Sequence, residues 1–323
     1  MPTFSATRRA ALLGTLALAG LAAQAQTATP QSVRLIVGYT AGGPVDGGAR
    51  MIAPYLSREL GVPVLVENRP GANATTAGDM VSKSPPDGSV LWFAASPTVT
   101  ISPNVMKTMP FDPAKDLTPI APILSYYNVL VVNKDLPFRT MKELIEHAKA
   151  NPGKVTYGSA GVGGSNHLSG ELLAVRSGTK MLHVPYKGNA PAMTDVIGGQ
   201  ITMMFDIVAN ARPFIASDKV RAIAVTSPQR NPSLPNVPTM GEAGVRDFDV
   251  GGWFAVYGPA NMRSAVATRY SLAFANVLKV PELRGKLEAA GYELWTGRPE
   301  LVEARGRKER GMWASVTKDI KIE

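Results

Sequence analysis

Two glycine-rich turns carry the groups best suited to chemistry. The first, Tyr39-Thr40-Ala41-Gly42-Gly43, follows an apolar run at 33–37 and leads into a helical segment. The second, Ser159-Ala160-Gly161-Val162-Gly163-Gly164-Ser165, follows a run at 155–157 and leads into His167-Leu168 and another helical segment. A glycine turn that opens a helix bares backbone N–H groups at the positive end of the helix dipole, which makes a site for anions. Glycines also serve tight turns that bind nothing. Two such turns, each able to head its own half of the molecule, favour binding. The nucleotide fingerprints fail on spacing. Gly161-Val162-Gly163-Gly164-Ser165-Asn166 lacks the last glycine of the dinucleotide pattern, and no turn ends in Gly-Lys-Ser/Thr, so no cofactor is indicated.

Nucleophilic chemistry has one candidate. Ser159 sits in a strand-to-helix turn, but Tyr157 stands where a nucleophile elbow needs glycine. The chain has three histidines, His147, His167 and His183, so the alternative of a secreted serine hydrolase would pair Ser159 with His183. His167, one turn into its helix, reads instead as a hydrogen-bonding prop for the loop. No histidine pair has metalloprotease spacing, and the absence of cysteine excludes disulfides, thiolate nucleophiles and cysteine-ligated zinc. Asp206 ends the run Met203-Met204-Phe205 and has two readings: a cleft residue at the C-terminal end of a strand, or a cap for the next helix.

The elements that position these groups alternate. Apolar, β-branched runs at 33–37, 64–67, 91–94, 129–132, 155–157, 182–184, 201–205 and 222–225 predict strands. Helices are predicted at 48–60, 75–82, 141–150, 165–176, 190–198 and 211–216, which gives an α/β chain built on parallel strands. The apolar runs at 126–133 and 250–257 fit neither half and read as crossover segments, the second returning the chain to the first half. Pro228, Pro232, Pro235 and Pro238 mark a surface loop. Leu301, Val302, Met312, Trp313 and Val316 predict a final packing helix, weakened by Gly306 and Gly311.

Composition sets the compartment and the partners. Arg8 and Arg9, the acid-free apolar run from Ala10 to Ala23 and the sequence Ala23-Gln24-Ala25 read as an export signal cleaved after Ala25. Either the general or the twin-arginine route suits it. No later run is apolar enough to cross a bilayer. The net charge is +9, and losing the two leader arginines brings it to +7, a field that favours anionic ligands. Basic residues are scattered rather than striped and no nucleic-acid motif appears, so nucleic acid is not an expected partner.

Several segments together are similar to one known family. They are Val37-Gly38-Tyr39-Thr40-Ala41-Gly42-Gly43-Pro44 with Asp46 and Arg50, Val66-Glu67-Asn68-Arg69-Pro70-Gly71-Ala72, and Tyr157-Gly158-Ser159 with His167-Leu168-Ser169-Gly170-Glu171. Val184-Pro185-Tyr186-Lys187-Gly188, Gly199-Gln200, Met204-Phe205-Asp206 and Leu234-Pro235-Asn236-Val237-Pro238-Thr239 with Glu242-Ala243-Gly244 extend the match over nearly the whole chain. The chain resembles the substrate-binding proteins of tripartite tricarboxylate transporters, the Bordetella uptake gene family. The resemblance implies a two-lobed periplasmic binding fold of type II-like, Venus-flytrap form with crossover strands at the hinge. Its implied domains are a leader at 1–25, lobe 1 at 26–125, lobe 2 at 126–249 and a return to lobe 1 at 250–323.

By the same resemblance, Tyr39, Thr40, Ala41, Gly42 and Gly43 from one loop and Ser159, Gly161, Gly163, Gly164 and Ser165 from the other hold carboxylate groups. Ser96 and Thr98 line the cleft, with Asp206 near it. The ligand is a small mono- or dicarboxylate, the protein a monomer without catalysis, and the partners the membrane subunits of the transporter. A ligand-dependent sensor would share the same fold and chemistry. Gly164 stands where serine is common in the family and Ile207 where a polar residue is expected, which leaves room for a more apolar ligand.

Overall fold

The computed structural model describes residues 30–317; the expected leader and its cleavage after Ala25 lie outside them. Among the described residues ten strands form one mixed sheet. In its first half, β1 (Val33–Val37) runs parallel between β2 (Val64–Asn68) and β3 (Val90–Ala95). Next to β3 and antiparallel to it lies β9 (Gly251–Pro259). In the second half, β5 (Thr156–Ser159) runs parallel between β6 (Leu182–Pro185) and β7 (Met203–Ile207).

The long strand β4 (Leu117–Asn133) joins the halves. Residues up to Tyr127 pair with β9, and Asn128 onward pair with β7 on one edge and β8 (Val220–Val225) on the other. The predicted crossover run at 126–133 is the second portion of this strand. The run at 250–257 becomes β9, whose first residue Gly251 sits opposite Tyr127. The Thr226 hydroxyl donates to the Val250 carbonyl (2.7 Å) and pins the chain where it leaves the second half.

Helices cover the faces of these strands, so β3 and the end of β4 are buried on both sides and read as continuous apolar runs, while β1 is buried except at Arg34. On the far end of β4, Val129 and Val131 enter one core with Met193 and Met204, while Leu130 and Val132 enter another with Tyr157 and Phe205. That is the two-residue alternation of a strand between two helical layers. The first half has its own core around Trp92, Phe93, Phe254 and Phe274.

Helix α1 (Pro44–Leu60) starts four residues earlier than predicted, because Pro44 with its fixed φ suits the first helical position. It stops where Gly61 turns left-handed. The remaining helices are α2 (Thr75–Ser82), the short α3 (Ser96–Thr100) and α4 (Ser102–Val105), α5 (Met141–Ala150), α6 (Ser165–Ser177), α7 (Asn189–Ile197) and α8 (Val208–Ala216). After β9 come α9 (Ser264–Val277), α10 (Pro281–Ala290), the two-residue strand β10 (Glu293–Leu294) and α11 (Pro299–Val316). In α11 Val302 is buried in the first core and Trp313 in the second. Among the described residues no helix is long and apolar enough to cross a membrane.

Candidate functional site

The first glycine loop leaves β1 at Gly38, which has no room for a side chain because a Cβ there would lie 2.2 Å from that of Ala74. Tyr39 turns inward, and its hydroxyl donates to Asn73 Oδ1 (2.9 Å). Ala41 and Gly42 form the exposed tip, and Gly43 is the buried cap residue before α1. The Gly42 N–H, expected to face ligand, donates to Asp46 Oδ2 (2.9 Å). Asp46 also accepts from Arg50 Nε (2.9 Å) and Asn68 Nδ2 (2.9 Å). Burial pushes this carboxyl up, but Arg50, Gly42 and Asn68 outweigh it and hold the pKa below the usual value. An acid in the first helical turn has therefore taken the amide.

The second loop is braced by neutral groups. His167 Nδ1 accepts from the Gly163 N–H (3.1 Å), Ser159 Oγ accepts from the Gly161 N–H (3.1 Å), and the Gly164 N–H donates to the Gly161 carbonyl (3.1 Å). The His167 and His183 rings stack with centroids 3.9 Å apart, with Tyr157 stacked on His183 at 5.1 Å and hydrogen-bonded to Glu171. Burial lowers the His167 pKa to about 3, aided by the neighbouring His183, and burial alone lowers His183 to about 4. Both imidazoles are thus neutral near pH 7, the form in which Nδ1 of His167 can accept.

Ser159 and His183 do meet, Oγ to Nε2 at 2.6 Å. Ser159 is 0% exposed and its hydroxyl also accepts from the Gly161 N–H, so the pair braces the loop from within. Among the described residues no carboxylate hydrogen-bonds His183 to orient it as a base.

The two loops face each other. Across the gap the Thr40 N–H donates to the Lys187 carbonyl (3.3 Å), while the Thr40 hydroxyl is buried without a partner. Between the halves lies a cavity of about 10 Å³, room for a single water. From the first half Tyr39, Val45, Asn73, Ala95 and Pro97 line it; from the second, Ala160, Gly164, Ser165, Asn166, Asn189 and Ile207; Tyr126 of β4 closes the hinge side. No charged side chain lines it. What it offers are hydroxyls, amides and the first-turn N–H groups of α6, which have no intrahelical acceptor. Burial pushes the Tyr126 phenol up to about 12, so that hydroxyl stays protonated.

Three of the predicted residues line this cavity: Tyr39, Gly164 and Ser165. Others stand behind it. Ser96 Oγ accepts from the Trp253 N–H (3.1 Å), and Thr98 Oγ1 donates to the Asn73 carbonyl (2.8 Å). Gly161 and Gly163 lie against Asn73, where a Cβ on Gly161 would fall 3.2 Å from the Asn73 nitrogen.

Asp206 is wholly buried and does not line the cavity. Its carboxylate accepts from Asn189, from the Ile207 N–H (2.8 Å) and from Asn210 Nδ2 (2.6 Å). Burial raises its pKa to about 6 against those three donors. It holds Asn189 toward the cavity and ties the start of α8, whose cap residue is Ile207.

Sequence reasoning missed Asn73, Tyr126, Asn166 and Asn189. The available signal for the asparagines was one close after a glycine or at a helix start: Asn73 two residues after Gly71, Asn166 second in α6, and Asn189 directly after Gly188.

Residues 48–303 match the family described as the tripartite tricarboxylate transporter family receptor. Protein BugT of Bordetella pertussis is 31% identical over 317 residues, 97% of each chain. The periplasmic binding protein BugD superposes with a TM-score of 0.88 at 32% identity, covering 91% of this chain and 99% of its own. R. palustris Rpa4515, solved with adipate, superposes with a TM-score of 0.87 at 32% identity, covering 90% and 97%. The chain therefore belongs to the tripartite tricarboxylate transporter receptor family, the Bordetella uptake gene proteins, which are periplasmic solute-binding proteins of this α/β fold.

Proposed function

We propose that this protein captures a small organic carboxylate between two lobes, residues 26–125 with 250–323 and residues 126–249, and delivers it without turnover to the membrane subunits of a tripartite transporter. It acts as a periplasmic monomer after losing its leader. The observation that carries this reading is the cavity shared by the two glycine loops, lined by Tyr39, Asn73, Ser165, Asn166 and Asn189 and by no charged group. Donors of that kind stabilise a carboxylate by about 1.5–3 kcal/mol per charge-assisted bond, so a few of them offset the ordering cost of closure. The adipate bound to Rpa4515 supports the same ligand class.

The cavity holds about one water, so loading requires the lobes to part and reclose, a hinge motion centred on β4 near Tyr127. Thermal-shift screening against organic acids tests the reading. A true ligand at a hundred times its Kd raises stability by about 2.7 kcal/mol. Stabilisation by sugars or metal cations and by no carboxylate overturns it.

A further inference from the structure

Outside the inner cavity, a second and much larger space opens between the same two halves, with a volume of about 640 Å³. Asn73 borders both spaces. It is the middle of three successive left-handed residues, Ala72 (φ 45°), Asn73 (φ 50°) and Ala74 (φ 66°). L-residues other than asparagine and aspartate avoid this region, and strained backbone concentrates at functional sites. Four contacts hold the turn in place. Asn73 accepts from Tyr39, its carbonyl accepts from Thr98, its Nδ2 donates to Ser102 Oγ (3.1 Å), and its backbone rests on Gly161. The result is a fixed sill between a cavity the size of one water and an outer vestibule.

The vestibule has a definite chemistry. Val105, Met106, Val162 and the ring of Tyr186 give it apolar walls, the Tyr186 hydroxyl being engaged by Asp195 (2.6 Å). Lys107 and Lys187 also line it, both are exposed, and neither forms an ion pair among the described residues. Among the described residues no aspartate or glutamate lines the space to neutralise them. A neutral, donor-rich inner end, a greasy middle and a cationic outer rim match one ligand shape.

We propose that the vestibule is an outer subsite for the far anionic end of an elongated diacid, with Asn73 as the sill that sets how much of the ligand lies on each side. This inference rests on the carboxylate-binding reading above and narrows it. Compact hydroxy acids fill only the inner end, whereas straight-chain diacids use both.

The test is calorimetric titration of the purified protein with straight-chain α,ω-diacids of increasing length and with monoacids of equal carbon count. Diacids long enough to pass the sill bind more tightly than their monoacid counterparts, by roughly tenfold for two solvent-screened cations. In Lys107→Gln/Lys187→Gln that advantage shrinks, and in Lys107→Glu/Lys187→Glu it vanishes or reverses, with unfolding midpoints unchanged because both side chains are exposed. Asn73→Gly keeps the left-handed turn and removes the side chain, which shifts the preferred chain length. Carboxylate binding with the same diacid-to-monoacid ratio in the wild type and in both lysine pairs overturns the outer subsite and leaves the general reading intact. No binding by any acid of either series overturns both.

Discussion

The two glycine loops occupy matching positions, each between a parallel strand and a helix, yet their amides are satisfied by opposite means. The front loop is tied by a carboxylate, Asp46, clamped in turn by Arg50 and Asn68. The back loop is tied by a neutral imidazole and a hydroxyl, His167 and Ser159, backed by His183. A charged brace is strong and insensitive to pH near neutrality; a neutral one leaves the loop uncharged beside an anion but depends on the histidines staying deprotonated. Only the back loop places predicted glycine and serine positions on the cavity wall, so the front loop acts mainly through Tyr39 and through its contact with the opposite half.

The largest expected effect comes from breaking the meeting of the loops. A Cβ on Gly188 would fall 2.3 Å from Thr40 Oγ1 and 3.0 Å from its nitrogen, so Gly188→Ala holds the halves apart. Affinity for the best-binding organic acid then drops about tenfold or more, as overpacking against backbone costs roughly 1–3 kcal/mol. Titration calorimetry reads the loss, and small-angle scattering shows a larger radius of gyration with ligand present. Unchanged affinity would mean that the contact between Thr40 and Gly188 plays no part in closure.

Next is the front brace. Asp46→Ala leaves the Gly42 amide and Asn68 without their acceptor, and chemical denaturation should show a loss of about 1–3 kcal/mol. Because the brace is charged, its contribution is present above the ordinary carboxylate pKa and disappears only in strong acid, the sense required by a lowered folded-state value.

The back brace should respond at milder pH. His167 and His183 have folded pKa values of about 3 and about 4 against an ordinary 6.5, so the stability they contribute is complete above 6.5 and is lost as pH falls toward those values. Asp206 opposes them: with its pKa raised to about 6, its contribution is present below the ordinary carboxylate value and is lost as pH rises through 6. Two histidines outweigh one aspartate, so the melting temperature should fall as the buffer is taken from about pH 7 to about pH 5. His183→Gln should flatten that limb. A wild-type profile that rises toward acid would assign the controlling group to Asp206 instead.

The smallest effect concerns the unpartnered Thr40 hydroxyl. Thr40→Val keeps the shape and removes a buried oxygen that bonds to nothing, and should raise stability by about 1 kcal/mol, measured as a shift of the unfolding midpoint.

How far these features could be read from residues alone depends on how local they are. Strand β1 is legible to the residue, and so are helices α2 and α5, because apolar runs and helical periodicity are short-range signals. The sequence patterns do not predict helices α3, α4, α9 and α10. The glycine loops were visible as loops, but which amides stay free was not: Asp46, four residues beyond Gly42, takes one of them only because α1 starts at Pro44. Ser159 and His183, the pair a hydrolase would need, are in contact, yet they lie buried and brace the loop. Asn73, Tyr126 and Asn189 come from three distant segments and meet around one cavity only in the folded chain, a long-range outcome that no local pattern records.

Helix α11 has one foot in each half, Val302 in the front core and Trp313 in the rear one, while Glu309 accepts from Trp253 Nε1 (2.9 Å) between them. Any wide gape of the molecule must therefore pull on this strap. The helix can yield at Gly306 and Gly311, which lie between its two anchors, since glycine interrupts helical stiffness. The glycines that weaken the helix as a sequence pattern can thus serve as its joints, and if the two halves swing, a fluorophore attached near Thr317 should change its signal.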